Sequence, residues 1–185
     1  NQSAPQHFYQ TTGPYNVKLI VESNNGCIDS ILKPLTQIYS QPKSDFNVTT
    51  EVCLRENTIF KDLTNGQSRT ITSWNWTFSD GTTSTLKDPS ILIGGAGSYT
   101  ATLFSYTNDG CVSDTITKSF TVHPLPTPDF TITSPVCETQ SIEFNQSAVA
   151  NVGNITRWNW VLGNGATPTN FTNASAIVSQ TFASW

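Results

Sequence analysis

Along much of this chain apolar and polar side chains alternate, and a period of two is the mark of a half-buried β-strand. Tyr15, Val17, Leu19 and Val21 fall on one side of such a strand, with Asn16, Lys18, Ile20 and Glu22 on the other. The pattern returns at Tyr99, Ala101 and Leu103. Each run ends in residues that reverse a strand, Asn24-Asn25-Gly26 in one and Asn108-Asp109-Gly110 in the other. Asn, Asp and Gly tolerate the left-handed backbone that a tight hairpin needs. The spacing predicts returning strands from Cys27 to about Ile38 and from Cys111 to Val122. Trp74, Trp76 and Phe78 share one face at period two, as do Trp158, Trp160 and Leu162. Shorter strands are predicted near Asp45–Thr49, Thr58–Leu63 and Ser90–Ile93. Together they give roughly seven short strands per unit, the rhythm of an Ig-like β-sandwich and an all-β fold.

The same landmarks recur at one offset. Tyr15 and Tyr99, Cys27 and Cys111, Phe46 and Phe130, Cys53 and Cys137, Phe60 and Phe144, and Gly81 and Gly165 are each 84 residues apart. Trp74-Asn75-Trp76 returns as Trp158-Asn159-Trp160 at that offset. A shared period of this kind predicts tandem units. Proline-rich junctions at Gln41-Pro42 and from His123 to Pro128 set the phase. Residues 1–42 are expected to be the C-terminal half of one unit, 43–126 a complete unit, and 127–185 the N-terminal part of a third. Asn1 then enters, and Trp185 ends, in the middle of a unit.

Composition agrees with strands. The chain has 28 Thr and 20 Ser, about a quarter of its 185 residues, while charged residues make up 12% and Met is absent. Thr is β-branched and favours strands, and Ser serves turns. With a net charge of −4 and only 9 Lys plus Arg, scattered along the chain, there is no basic patch for nucleic acid. No apolar run approaches the ~18 residues of a membrane span. The 4 cysteines form no Cys-x-x-Cys pair, which sets aside the common zinc and redox motifs and fits a secreted, oxidised protein.

Catalysis needs converging groups, and none is legible. His7 and His123 are not at the repeat offset and read as surface residues; Asp80 and Asp109 sit in turns, where Asp bonds its own backbone. Gly94-Gly95-Ala96-Gly97 lacks the Lys-Ser/Thr of a phosphate loop. No cofactor or metal is expected, and the chain reads as a non-enzyme. Trp74, Trp76, Trp158 and Trp160, with Tyr15 and Tyr99, read as core residues, the alternative for the tryptophans being a platform for sugars. Phe104 and Tyr106 fall on the outward face of their strand, as a contact surface for another chain or a glycan or as packing beneath a loop. Within the complete unit Cys53 and Cys111 are the only possible pair. The predicted strand order puts them at opposite ends of a sandwich, and a strand of ~6 residues spans ~20 Å, well beyond the ~7 Å Cα limit of a disulfide. Cys27, Cys53, Cys111 and Cys137 are therefore expected to bond between neighbouring units, first-loop cysteine to hairpin cysteine, with no complete bond inside these residues.

The stretch Trp74-Asn75-Trp76-Thr77-Phe78-Ser79-Asp80-Gly81, followed by Gly97-Ser98-Tyr99-Thr100-Ala101-Thr102-Leu103, resembles the PKD (polycystic kidney disease) domain. That family's hallmark is Trp-x-Phe-Gly-Asp-Gly and a later Gly-x-Tyr-x-Val-x-Leu strand. Ser79 stands for the Gly before Asp80, and the third unit reads Leu162-Gly163-Asn164-Gly165. The doubled Trp, Val52-Cys53, Val136-Cys137 and Gly110-Cys111 are similar to tandem PKD repeats of large surface proteins in gliding, Bacteroidota-type bacteria. The resemblance implies non-catalytic spacers, stalks or adhesive filaments at the cell surface, often exported by the type IX route. Their partners would be neighbouring repeats of the same chain, surface glycans or other filament subunits. The other implied role is a PKD spacer in a secreted enzyme that degrades polysaccharide or protein. In the resembled bacteria Asp-Ser/Thr-apolar triplets carry O-linked sugar, which implies Ser30 and Thr115 as candidates, unless acid, hydroxyl and Ile merely alternate on a strand.

Overall fold

The computed structural model describes residues 5–132, 141–161, 169–171 and 178–181. Cys137, Leu162 and Gly165 lie outside the described residues. Among the described residues the regular elements are all strands: β1 (Tyr15–Glu22), β2 (Ile28–Leu35), β3 (Phe46–Val48), β4 (Glu51–Cys53), β5 (Asn57–Asp62), β6 (Ile71–Phe78), β7 (Thr83–Ser84), β8 (Ser90–Leu92), β9 (Gly97–Thr107) and β10 (Ile116–His123). They continue with β11 (Phe130–Ile132), β12 (Ser141–Gln146), β13 (Trp158–Trp160), β14 (Thr169–Phe171) and β15 (Val178–Thr181). Two compact units emerge, one of residues 1–49, 59–91 and 99–119 and one of residues 50–58, 92–98 and 120–185.

In the first unit β1 and β2 form a hairpin with Tyr15 opposite Leu35 and Glu22 opposite Ile28. Gly26 takes φ +80° in its turn, a conformation that only glycine adopts without strain. β3, β5 and β8 form one sheet, while β7, β6, β9 and β10 are successive neighbours in another that β4 completes beyond β10. Alternation sets the facing. On β5 Thr58, Phe60 and Asp62 point in, and on β9 Ala101, Leu103, Ser105 and Thr107 do so. Phe46, Phe60, Trp76 and Phe78 from the two sheets meet in an aromatic core with ring centroids 5.0–6.3 Å apart. Burial of such rings is the main favourable term in a domain this small.

In the second unit β4 runs parallel to the end of β10, Glu51 beside Thr121 and Cys53 beside His123. Val52, Ile93, Phe120 and Val122 are buried there. β11 pairs with β12, β12 with β15, and β13 with β14. Phe130, Phe144 and Trp160 cluster with centroids 5.2–6.4 Å apart.

Segment 44–53 meets β10 near both of its ends. Near its start, Asp114 Oδ1 accepts the Ser44 N–H at 2.6 Å and the Ser44 and Ser113 hydroxyls pair at 2.7 Å. Lys118 Nζ donates to Asp45 Oδ1 at 2.7 Å and to the Phe46 carbonyl. At its end lies β4. Ser44 and Asp114, Glu51 and Thr121, and Cys53 and His123 are each separated by 70 residues, so segment 44–53 travels with 114–123 in one direction.

Several expectations are corrected. The disulfide reading does not stand: Cys27, Cys53 and Cys111 are free thiols. Cys53 registers with His123 at the end of β10, whereas Cys111 lies before its start; eight strand residues span about 26 Å, so geometry forbids a bond between the two. The free thiols also remove the cysteine argument for an oxidising compartment. Glu51–Cys53 is a strand rather than a loop, and β7 was not foreseen. Residues 111–115 are not strand, because Asp114 turns aside to hold Ser44.

The turn Gly66–Arg69 is closed by the Arg69 N–H donating to the Gly66 carbonyl at 3.0 Å. Gln67 and Ser68 at its centre both have positive φ, 51° and 71°, without being glycine. Two left-handed central residues define the hairpin turn that Asn-Gly fits best. Replacing Gln67-Ser68 by Asn-Gly is expected to stabilise the chain by roughly 0.5–1 kcal/mol, seen as a raised denaturation midpoint; a lowered midpoint would mean the side chains contribute more than the backbone strain costs.

Candidate functional surface

On β9 the side chains alternate, so Ala101, Leu103 and Ser105 face the core while Thr102, Phe104 and Tyr106 face away. The Phe104 and Tyr106 rings meet edge to face at 5.8 Å, with Tyr106 exposed and Phe104 half-buried. Asn75 and Ser73 of β6 flank them across the ladder. The pair is therefore an outward aromatic patch edged by polar side chains, able to stack on a sugar or a flat apolar partner.

Trp76 is 1% exposed, and its indole N–H donates to the Leu86 carbonyl at 2.9 Å. Trp74 faces inward opposite Ser105 but is only half-buried, below Lys87, whose ammonium lies 5.8 Å from the ring centroid. Tyr15, Tyr99, Trp158 and Trp160 are also half-buried rather than sealed. Ser30 and Thr115 are exposed. Ser30 sits on β2 with its N–H donating to Asp29, whereas Asp114 beside Thr115 is engaged in holding Ser44.

The titratable groups do structural duties. Asp80 Oδ1 accepts from both the N–H and the hydroxyl of Thr82, a turn closed on itself. His123 pairs with Glu51 across the parallel strands. Among the described residues no group of three or more His, Cys, Asp and Glu side chains comes together to hold a metal. Hydrogen bonding to Lys118 holds the Asp45 carboxyl below the usual carboxylate range, and hydrogen bonding to Lys61 does the same for Asp88. A depressed carboxylate pKa stabilises the fold above the unfolded-state value near ~3.9, and that stability is lost as pH falls through the folded value. Both pairs are solvent-screened, so each contributes about 0.2–1 kcal/mol. Asp45→Asn is expected to lower neutral-pH stability by about 0.2–1 kcal/mol and to remove part of the acid dependence of stability below about pH 4; an unaltered acid profile would show the pair to be idle.

One concavity was not foreseen. A groove of about 860 Å³ opens in the second unit, lined by Arg55, Phe130, Phe144, Arg157, Trp158 and Trp160 among others. Phe130 is 52% exposed.

Two sheets closed over an aromatic core, with edge strand and last strand parallel, define an Ig-like β-sandwich. Residues 39–122 match the PKD domain family, and this stretch is a PKD-type sandwich, a non-catalytic kind of domain. No curated protein matches the chain. Among solved structures, the PKD1 domain of the Vibrio cholerae metalloprotease PrtV is 26% identical, covering 45% of this chain and 98% of its own, with TM-score 0.40. The PKD1 domain of Vibrio anguillarum Epp is 22% identical, covering 47% and 99%, with TM-score 0.43. A structure of promiscuous carbohydrate-binding modules of the β-sandwich superfamily is 16% identical, covering 58% of this chain and 54% of its own, with TM-score 0.45.

Proposed function

We propose that this chain is a non-catalytic spacer segment of an extracellular protein, built of tandem PKD-type units with a period of 84 residues. The observation that carries the spacer reading is the course of β10. The chain comes into residues 43–126 beside the start of that strand and leaves from its far end. A unit threaded in line adds its length to a stalk, and the proline-rich joint from His123 to Pro128 passes that direction on more stiffly than a Gly/Ser linker.

The repeat is supported by hydrogen bonds that recur at the same offset. Lys43 and Asn65 exchange N–H···O bonds, as do Thr127 and Val149. Leu63 donates to Asp45, as Ser147 does to Asp129. Phe46 faces Asp62 and Val48 faces Phe60, as Phe130 faces Gln146 and Ile132 faces Phe144. The turn bonds Ser23 to Cys27 and Thr107 to Cys111 correspond too.

An extracellular setting is supported by a composition polar through hydroxyls rather than charges. The spacer reading is preferred over an adhesive filament, for which the Phe104–Tyr106 patch is the one local feature in favour. PrtV, by its name a metalloprotease, carries a PKD1 domain, so a domain of this family can sit beside a catalytic one. The spacer reading needs no gliding role and no particular export route.

Distance measurement between labels at residues 43 and 126 tests it. A separation of about 26 Å or more is expected from the rise of an eight-residue strand, and a separation below roughly 15 Å, half that span, would overturn it.

A further inference from the structure

We infer that the β5–β6 loop and its counterpart, the β12–β13 loop, are latches that hold the proline joints on their N-terminal side. Arg69 acts on Tyr39 at the first joint, and Asn151 acts on Leu125 and Thr127 at the second. The inference deepens the spacer reading, on which it rests for treating residues 36–42 and 123–128 as joints.

Prolines stiffen a segment but do not aim it. They carry no N–H, so a proline-rich joint has few backbone donors with which to tie itself down. Anchoring must then come from outside, onto its rings, carbonyls and hydroxyls. At the first joint Pro42 is fully buried, and just after it Lys43 exchanges N–H···O bonds of 2.9 and 2.8 Å with Asn65. On the other side of the proline the Arg69 guanidinium lies over the Tyr39 ring, 3.6 Å from its centroid. A planar guanidinium stacks on an aromatic face as an ammonium cannot. One turn, residues 65–69, therefore grips the chain before and after Gln41-Pro42. Arg69 is itself backed, because its Nε lies 3.4 Å from Asp109 Oδ2. The next turn is tied in as well, with the Asn108 N–H donating to the Thr70 carbonyl at 3.0 Å.

The second joint is held at the same place by different chemistry. Thr127 and Val149 exchange N–H···O bonds of 2.8 and 2.9 Å, as Lys43 and Asn65 do. Gly153 stands 84 residues after Arg69 and has no side chain to reach with. Two residues earlier Asn151 does the reaching: its amide nitrogen donates to the Leu125 carbonyl at 2.7 Å and to Thr127 Oγ1 at 3.0 Å. Both loops also double back through left-handed backbone, at Gln67 and Ser68 in one and at Asn151 and Gly153 in the other. For residues other than glycine that conformation is costly, and it persists where the surroundings over-determine it. An accidental contact would not return in the second loop through another residue type, so the shared reach marks a shared role.

Distance distributions from paired spin labels in the whole chain test this. Labels at Lys33 and Thr83 report on the first joint, and labels at Ser119 and Ser147 on the second. Both distributions are expected to be narrow in the wild type. Arg69→Ala and Tyr39→Ala should each raise the displaced population at the first joint roughly 2–30-fold, the factor set by loss of a cation–π contact. The double variant should go no further than either alone, and Tyr39→Phe, which keeps the ring face, should match the wild type. Asn151→Ala should broaden only the second distribution. Throughout, the Lys43 and Asn65 amides should stay protected from exchange, which shows the sandwich intact. Broad wild-type distributions overturn the inference, as does widening at one joint alone when both latches are removed. Equal widening by Tyr39→Phe and Tyr39→Ala also overturns it, because the ring face would then not be what holds Arg69. If the latches fail while the distance between residues 43 and 126 holds, the joints are pliant and the spacer reading survives.

Discussion

Trp76→Ala is expected to cost about 3–5 kcal/mol, enough to unfold the PKD-type sandwich of residues 39–122 when set against the 5–15 kcal/mol typical of a whole domain. The ring is sealed by Phe46 at 5.0 Å and Phe60 at 5.7 Å, and lies parallel to Phe78 at 6.3 Å. Truncation opens a cavity where both sheets meet and leaves the Leu86 carbonyl without its indole donor. Amide exchange along β6 and β9 in the intact chain reads the result directly: protection should collapse in both strands. Trp74→Ala is the control. Its ring is half-buried, and its indole N–H is already buried without an acceptor, so its removal should cost clearly less. Equal losses from the two substitutions would mean that burial does not set the ranking.

Gly66→Ala is expected to destabilise by about 1–3 kcal/mol through the backbone alone. A Cβ at Gly66 would lie 2.0 Å from the Arg69 carbonyl oxygen and 3.0 Å from its carbon. Both atoms belong to the backbone, so no side chain can swing aside. Relief requires the turn to open, which would break the Arg69-to-Gly66 hydrogen bond and pull on the Lys43–Asn65 bridge next to it. A denaturation midpoint within experimental error of wild type would show that the turn moves freely.

The sequence carried the sandwich because its strongest signals are periodic. Trp76-x-Phe78 and Ala101-x-Leu103 each declare a strand and its buried face, and the hairpin turns between strands are written in Asn, Asp and Gly. What it concealed is short or non-local. β4 has three residues and one buried side chain, Val52, too few for an alternation to register. β10 begins at Ile116 rather than at Cys111, where the spacing places it, because Asp114 serves a residue 70 positions earlier rather than its own neighbours. Trp74 was grouped with Trp76 by spacing alone. The register shift between Ile71 and Ser73 and the small Ser105 opposite leave Trp74 half out of the core. The groove was hidden for a related reason: Phe130, Phe144 and Trp160 look like core in any window, and exposure depends on which strands lie over them.

The parallel run of β4 beside β10 bears on tension. Pulling on the two ends of residues 43–126 draws these strands past one another lengthwise instead of peeling them apart. The Thr121-to-Thr50 and Leu54-to-His123 hydrogen bonds, each 2.8 Å, then carry load together with the Lys118–Asp45 pair, and none can rupture ahead of the rest. Loading in shear resists extension far better than unzipping, so the β4–β10 pair acts as the mechanical clamp of this sandwich.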